Sequence, residues 1–326
     1  MSSLKERLLA RVTTDLEAIE VALQENLTPY LDLVSKTARH ILFSGGKRLR
    51  PLLMVIAARV CNYSGNDDKR FAAIFEYLHA ATLLHDDLID GAPVRRGKPV
   101  AHSIFGNSTA VLVGDFLLAR ALSIAAVAEN TRIIDTIAKV TEDMSQGEIQ
   151  QMMNKGRMDI TEKEYMQVIE NKTAGLIKAA CRVGALIADA PDKNIEHLSA
   201  YGYYVGIAFQ MTDDLLDYLA DTWDLGKEVG ADLKEGKLTL PVIYALKQAE
   251  TAERNRMIEI ISESDFSVED FQLLVDLLQS YGGLSYTRDR AAEYVRMAKE
   301  ELTGFEPSEA RETLEMIADY ALLRKI

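Results

Sequence analysis

Seven prolines, at positions 29, 51, 93, 99, 191, 241 and 307, are all that interrupt 326 residues, so most of the chain lies in long intervals where a helix can run without losing a backbone donor. Within those intervals apolar residues recur at spacings of three and four, as in Leu273, Leu274, Leu277 and Leu278, and period-two runs rich in Val, Ile and Thr are missing. The expected fold is therefore all-α. Thr161-Glu162-Lys163-Glu164 has the form of a capping box and predicts a helix from there to about Ala188. Breaks are expected at Ser44-Gly45-Gly46, from Gly91 to Pro99, at Ala190-Pro191, from Gly226 to Gly236 and at Gly282-Gly283. None has the composition of a flexible linker, so residues 1–326 are expected to form one large domain.

With 37 Lys and Arg against 50 Asp and Glu, the formal charge of −13 argues against a broad nucleic-acid footprint and leaves room only for local basic pockets. Cys61 and Cys181 have no paired metal-ligand spacing, which excludes a thiolate zinc site and a disulfide framework. The N-terminus alternates charged and apolar residues, unlike a secretory signal, and a cytoplasmic location is expected. The most apolar window, Thr109 to Ala128, carries Asp115 and Arg120, which predicts a buried core helix and no stable membrane insertion.

One short element occurs twice: Asp86-Asp87-Leu88-Ile89-Asp90 and Asp213-Asp214-Leu215-Leu216-Asp217. On a helix, residues at i and i+4 share a face, so Asp86 points with Asp90 and Asp213 with Asp217, and like charges at that spacing repel. A single copy could be a solvated face. Two copies in apolar surroundings call for a compensating divalent cation, and hard oxygen ligands select Mg²⁺ bridged to a phosphate group. The six carboxylates Asp86, Asp87, Asp90, Asp213, Asp214 and Asp217 are the candidate ligands. Cations stand near each motif: Arg95 and Arg96 after the first, Lys227 and Lys237 after the second. Gly45-Gly46-Lys47-Arg48-Leu49-Arg50 is a further candidate phosphate site, and Lys172-Thr173 precedes the small pair Ala174-Gly175. No histidine pair has the spacing of a helical zinc site.

Taken in order, GGKRLRP at 45–51, LLHDDLID at 83–90, RRG at 95–97, GDFLLARA at 114–121, KT at 172–173, FQMTDDLLD at 209–217 and EGKLTLP at 235–241 resemble the trans-type polyprenyl diphosphate synthases. The resemblance implies an antiparallel helical bundle of the isoprenoid (terpenoid) synthase type around a deep central cavity, with the acidic motifs facing across its mouth, and usually a homodimer. It implies repeated condensation of isopentenyl diphosphate with an allylic diphosphate such as farnesyl diphosphate. Three Mg²⁺ ions on Asp86, Asp90, Asp213 and Asp217 would hold the allylic diphosphate together with Arg95, Lys172, Lys227 and Lys237. Lys47, Arg50, His79 and Arg96 would form the metal-free isopentenyl diphosphate site, and Thr173 and Gln210 would line the reacting region. A departing diphosphate serves as proton acceptor in this family, so no side-chain base is assigned.

Product length is expected to depend on the positions beneath the first motif. Thr82 is one helical turn before Asp86, with Ala81 beside it, and family members that stop at fifteen carbons carry bulky aromatics there. A tail that passes this level should run on until Tyr77, Leu78, Leu122 or Ile124 blocks it. The segment from Ser145 to Glu148 and from Asp159 to Tyr165 resembles the octaprenyl branch that makes quinone side chains. A twenty-carbon geranylgeranyl synthase and the catalytic subunit of a heteromeric synthase are the alternatives. An apolar product suggests transient membrane contact on release.

Overall fold

A computed structural model describes residues 3–219, 230–263 and 266–323. The described residues are almost wholly helical, as the proline spacing and apolar periodicity predict. The chain divides into two compact units: 1–141 with 176–202 and 302–316, and 142–175 with 203–301 and 317–326.

The first unit contains α1 (Leu4–Leu27), α2 (Asp32–Leu42), α3 (Leu49–Val60), α4 (Asp68–Ile89), α5 (Ala101–Phe105) and α6 (Asn107–Ala126). Its centre is α4, which packs on α6, α3, α1 and α2. The run Phe71 to Leu78 is buried throughout, since α4 has neighbours on every side. Between α4 and α5 lies a hairpin, β1 (Val94–Arg95) paired antiparallel with β2 (Lys98–Pro99). The turn residues Arg96 and Gly97 both have positive φ, 52° and 74°, the requirement of a tight two-residue hairpin turn. Sequence reading does not reach this hairpin, because two residues per strand leave no periodic signal.

The apolar window after Thr109 forms α6, but not the fully buried helix expected. Val113, Gly114, Leu117, Ala121, Ile124 and Ala125 are buried, whereas Leu112 and Leu122 are 65% and 39% exposed. By length and composition α6 could span a bilayer. It packs along α4, and Arg120 donates through Nε to the Asn26 carbonyl.

The second unit draws on the C-terminal part of α7 (Thr131–Asn154), on α8 (Glu162–Ile169) and on most of α10 (Asp192–Leu219), the helix that follows α9 (Gly175–Ile187). It also contains α11 (Ala231–Lys234), α12 (Leu240–Gln248), α13 (Thr251–Ser262), α14 (Val268–Ser280) and α15 (Gly283–Glu301), and it shares α16 (Glu309–Leu323) with the first unit. Its core gathers Met211, Leu215 and Tyr218 of α10 with Leu240 and Val242 of α12 and Leu274 and Leu278 of α14. The Thr161 capping box forms: Thr161 accepts from the Glu164 backbone and Glu164 from the Thr161 backbone. The helix expected to run on from it is interrupted, because residues Glu170–Ala174 make a π-helical turn before α9 begins. Such single turns are frequent at functional sites, and this one carries Lys172 and Thr173.

Candidate active site

Helical geometry gives both acidic motifs the same division of labour. In the first, Asp86 and Asp90 are half-buried at the end of α4, and Asp90 caps the helix by donating its backbone N–H to the Asp86 carbonyl. Asp87, one residue on and so about 100° around the helix, is buried at 2% exposure. Arg95 on β1 donates from Nε and Nη2 to Asp87 Oδ1, each at 2.7 Å. Asp87 Oδ2 is buried and has no hydrogen-bond partner among the described residues.

In the second motif, Asp213 is exposed and Asp217 half-buried, while Asp214 is buried. Asp214 accepts from Tyr165 Oη at 2.6 Å and from Gln210 Nε2 at 2.7 Å. Thr173 in turn donates to Gln210 Oε1 at 2.9 Å, so a chain of bonds joins the π turn to the acidic motif. Close packing brings the elements together. A Cβ on Gly206 of α10 would stand 2.6 Å from Ala174 Cα, and one on Gly147 of α7 would stand 2.7 Å from Asn171 Cβ. The first approach seats Gln210 against Thr173; the second brings Glu148 into an ion pair with Lys172.

Burial, reinforced by Asp213 and Asp217, pushes the Asp214 carboxyl up from its ordinary range to about 7, against the lowering effect of its two hydrogen bonds. Asp232 of α11 is likewise raised, first by burial and then by Asp214 and Asp217. Asp217 accepts from the Asp232 backbone N–H at 3.2 Å. Lys172, Thr173, Gln210, Asp214, Asp232 and Lys237 line a cavity of about 170 Å³, and Lys237 is paired with Glu235. Carboxylates whose ionisation is opposed by burial and by one another are suited to a divalent cation. Among the described residues no three acidic, His or Cys side chains form a ready-made metal cage. Asp86 and Asp90 at the end of α4 and Asp213 and Asp217 on α10 are hard oxygen donors of the kind that Mg²⁺ takes beside waters and phosphate oxygens.

A third cluster lies in the first unit. Gly45 and Gly46 have φ of 102° and 155°, and Arg96 Nη1 donates to the Gly45 carbonyl. Lys47 is exposed, Arg50 and His79 are half-buried, and burial together with Arg50, Arg96, Arg95 and Arg48 holds His79 well below its usual pKa, so it is neutral. The structure thus brings Arg48 and Arg50 of the 45–50 loop together with His79 and Arg96. Lys227, the remaining expected phosphate contact, lies outside the described residues.

Under the first motif Ala81 is buried, and Thr82 is half-buried with its hydroxyl donating to the His79 carbonyl at 2.9 Å. Of the residues expected to close a tunnel, Leu78 and Ile124 are buried and Tyr77 is buried with its hydroxyl on the Leu23 carbonyl of α1. Leu122 is 39% exposed. Sequence reading missed Asp232, Glu148 and the bonding role of Tyr165. Asp232 is one of three acidic residues, with Glu228 and Glu235, in the expected loop from Gly226 to Gly236, and composition does not single it out, while the other two depend on interhelical packing.

Residues 31–278 match the family model of the polyprenyl synthetases. The octaprenyl diphosphate synthase of Escherichia coli (strain K12) is 37% identical over 319 residues, 98% of each chain. The short chain isoprenyl diphosphate synthase of Methanothermobacter thermautotrophicus is 36% identical, covering 92% of each. Among solved structures, a polyprenyl synthase from Caulobacter crescentus, complexed with calcium and isoprenyl diphosphate, superposes with a TM-score of 0.91 at 35% identity over 99% of this chain and 98% of that one. The chain belongs to the polyprenyl synthetase family, the trans-polyprenyl diphosphate synthases, and is a prenyltransferase with their all-α isoprenoid synthase fold.

Proposed function

We propose that residues 1–326 act as one polyprenyl synthase domain that condenses isopentenyl diphosphate repeatedly with an allylic diphosphate, farnesyl or similar, to give an all-trans product of about eight isoprene units that serves as a quinone side chain. The observation that carries the reaction is the shared design of the two acidic motifs. In each the middle aspartate is buried and bonded, Asp87 to Arg95 and Asp214 to Tyr165 and Gln210, while the first and last are less buried. The outer residues Asp86, Asp90, Asp213 and Asp217 are assigned to three Mg²⁺ ions and the allylic diphosphate; the middle pair fixes their helices. Bound Mg²⁺ supplies Lewis-acid stabilisation of the departing diphosphate.

Arg95, Lys172, Lys227 and Lys237 are assigned to the same diphosphate, adding charge complementarity where negative charge develops on the leaving oxygen. Lys47, Arg50, Arg96 and neutral His79 hold isopentenyl diphosphate. Its double bond then attacks the allylic carbon, a step that demands positioning and no protein nucleophile. Thr173, locked through Gln210, faces the reacting region as a fixed hydroxyl dipole. The length of the product is supported by the small side chains at Ala81 and Thr82 and by the octaprenyl relative. A geranylgeranyl product is the second reading, favoured by the similar identity to a short chain synthase.

The apolar stripe of Leu112, Ala119, Leu122 and Ala126 on the outward face of α6 supports a homodimer formed through that helix. A cytoplasmic location, with passing membrane contact when the apolar product leaves, completes the reading. Incubating the purified chain alone with farnesyl diphosphate, labelled isopentenyl diphosphate and Mg²⁺ tests it. A dephosphorylated ladder ending near eight units is expected. A stop at twenty carbons would select the shorter synthase, and no elongation would require a second subunit or refute the reaction.

A further inference from the structure

The isopentenyl diphosphate loop rests on a buried charge that no role in substrate contact explains. Arg48 is 6% exposed and sits with φ 49° in the left-handed region, at the N-terminal end of α3. Its guanidinium makes three separate bonds. Nε donates to Glu20 Oε1 of α1 at 2.5 Å, Nη1 to Glu76 Oε1 of α4 at 2.6 Å, and Nη2 to the Leu42 carbonyl at the end of α2 at 2.5 Å. One side chain therefore ties the loop to three helices, and Glu76 lies one turn before His79 on α4. A Cβ added to Gly46 would stand 3.2 Å from Arg48 Nη1 and 3.3 Å from Arg96 Nη1, so both guanidiniums lie against Gly46 on the side where a side chain would project.

We propose that Arg48 is a positioning residue for the metal-free diphosphate site: it fixes the 44–50 loop by tying it to α1, α2 and α4. This rests on the reading of Lys47, Arg50, His79 and Arg96 as the isopentenyl diphosphate pocket. Lysine cannot substitute, because an ammonium lacks the planar array of donors that reaches two carboxylates and a carbonyl in three directions at once.

The test is equilibrium binding of isopentenyl diphosphate without metal, followed by calorimetry, with steady-state kinetics beside it. Arg48→Lys should raise the Kd and the KM for isopentenyl diphosphate about tenfold, while kcat and the KM for farnesyl diphosphate stay within twofold. A merely structural role would instead lower kcat or disturb both substrates equally, and that result overturns the proposal, as does an unchanged Kd. Should Arg48→Lys fail to fold by circular dichroism, Glu20→Gln decides, because Glu20 is 37% exposed and tolerates change. A threefold or greater rise in Kd supports the proposal and no rise overturns it. Lys47→Ala and Arg50→Ala separate the two layers: if they raise Kd and the Arg48 variant does not, only the positioning role fails; if they leave Kd unchanged, the pocket assignment fails and takes the positioning role with it.

Discussion

Replacing Tyr165 with Phe removes one hydroxyl that donates to a buried carboxyl group. Tyr165 is 4% exposed and Asp214 5% exposed, and the 2.6 Å bond between them is one of two that Asp214 accepts from side chains. A hydrogen bond to a charged group contributes about 1.5–3 kcal/mol, against about 0.5–1.5 kcal/mol for a neutral pair. With its carboxyl pushed up to about 7 by burial, Asp214 should be ionised at pH 8.5 and protonated at pH 5.5. A double-mutant cycle of Tyr165→Phe with Asp214→Asn, read by denaturant unfolding, should therefore give a coupling of about 2 kcal/mol at pH 8.5 and about 1 kcal/mol at pH 5.5. The sign for the carboxyl as a whole follows from linkage. A carboxyl raised in the folded state contributes stability below its unfolded value, near 4, and that contribution is lost as the pH rises through 7. Coupling that is absent, or larger at the lower pH, would refute the claim that the tyrosine holds an ionised carboxylate in place.

Asp86→Ala or Asp213→Ala should cut turnover at least a hundredfold with an unchanged circular dichroism spectrum, and chelation of Mg²⁺ should abolish turnover of the parent chain; retained activity would remove the outer aspartates from the metal site. Ala81→Phe should shorten the product ladder seen by chromatography, and an unaltered ladder would show that the tail does not pass α4 at that level. Thr161→Ala should cost about 1 kcal/mol in denaturant unfolding by opening the capping box. The Glu164 carboxyl of that box is held down to about 2, chiefly by the Thr161 backbone N–H, so its stabilising effect should be present above pH 4.5 and lost as the pH falls through 2, which an NMR titration of Glu164 would follow.

The residues show which parts of this molecule a linear reading reaches. Helical periodicity and proline spacing are local properties, and they gave the all-α class and the helical repeat of Leu273, Leu274, Leu277 and Leu278, which lies in α14, without reference to any neighbour. The i and i+4 spacing also grouped Asp86 with Asp90 and Asp213 with Asp217, because helix geometry alone decides that. It did not separate the middle aspartates from the outer ones, since their burial depends on Arg95 reaching back from a hairpin and on Tyr165 arriving from another helix. The π turn at Glu170–Ala174 escaped for a similar reason: its composition is that of an ordinary helix, and only the close approach of Gly147 and Gly206 distinguishes the place. On α6 an apolar window meant burial, whereas about half of its residues are exposed, and composition alone cannot tell which apolar residues of a helix its own chain covers. Arg48 illustrates the converse, a cation in a phosphate-like motif whose partners are carboxylates of its own fold.

Electron paramagnetic resonance counting of bound Mn²⁺, with and without farnesyl thiodiphosphate, asks directly whether the outer aspartates of both motifs hold metal together with an allylic diphosphate. Uptake of three ions per chain that requires the diphosphate is expected, with fewer retained by Asp86→Asn and by Asp213→Asn. Uptake that ignores the diphosphate, or that survives both substitutions, would contradict it.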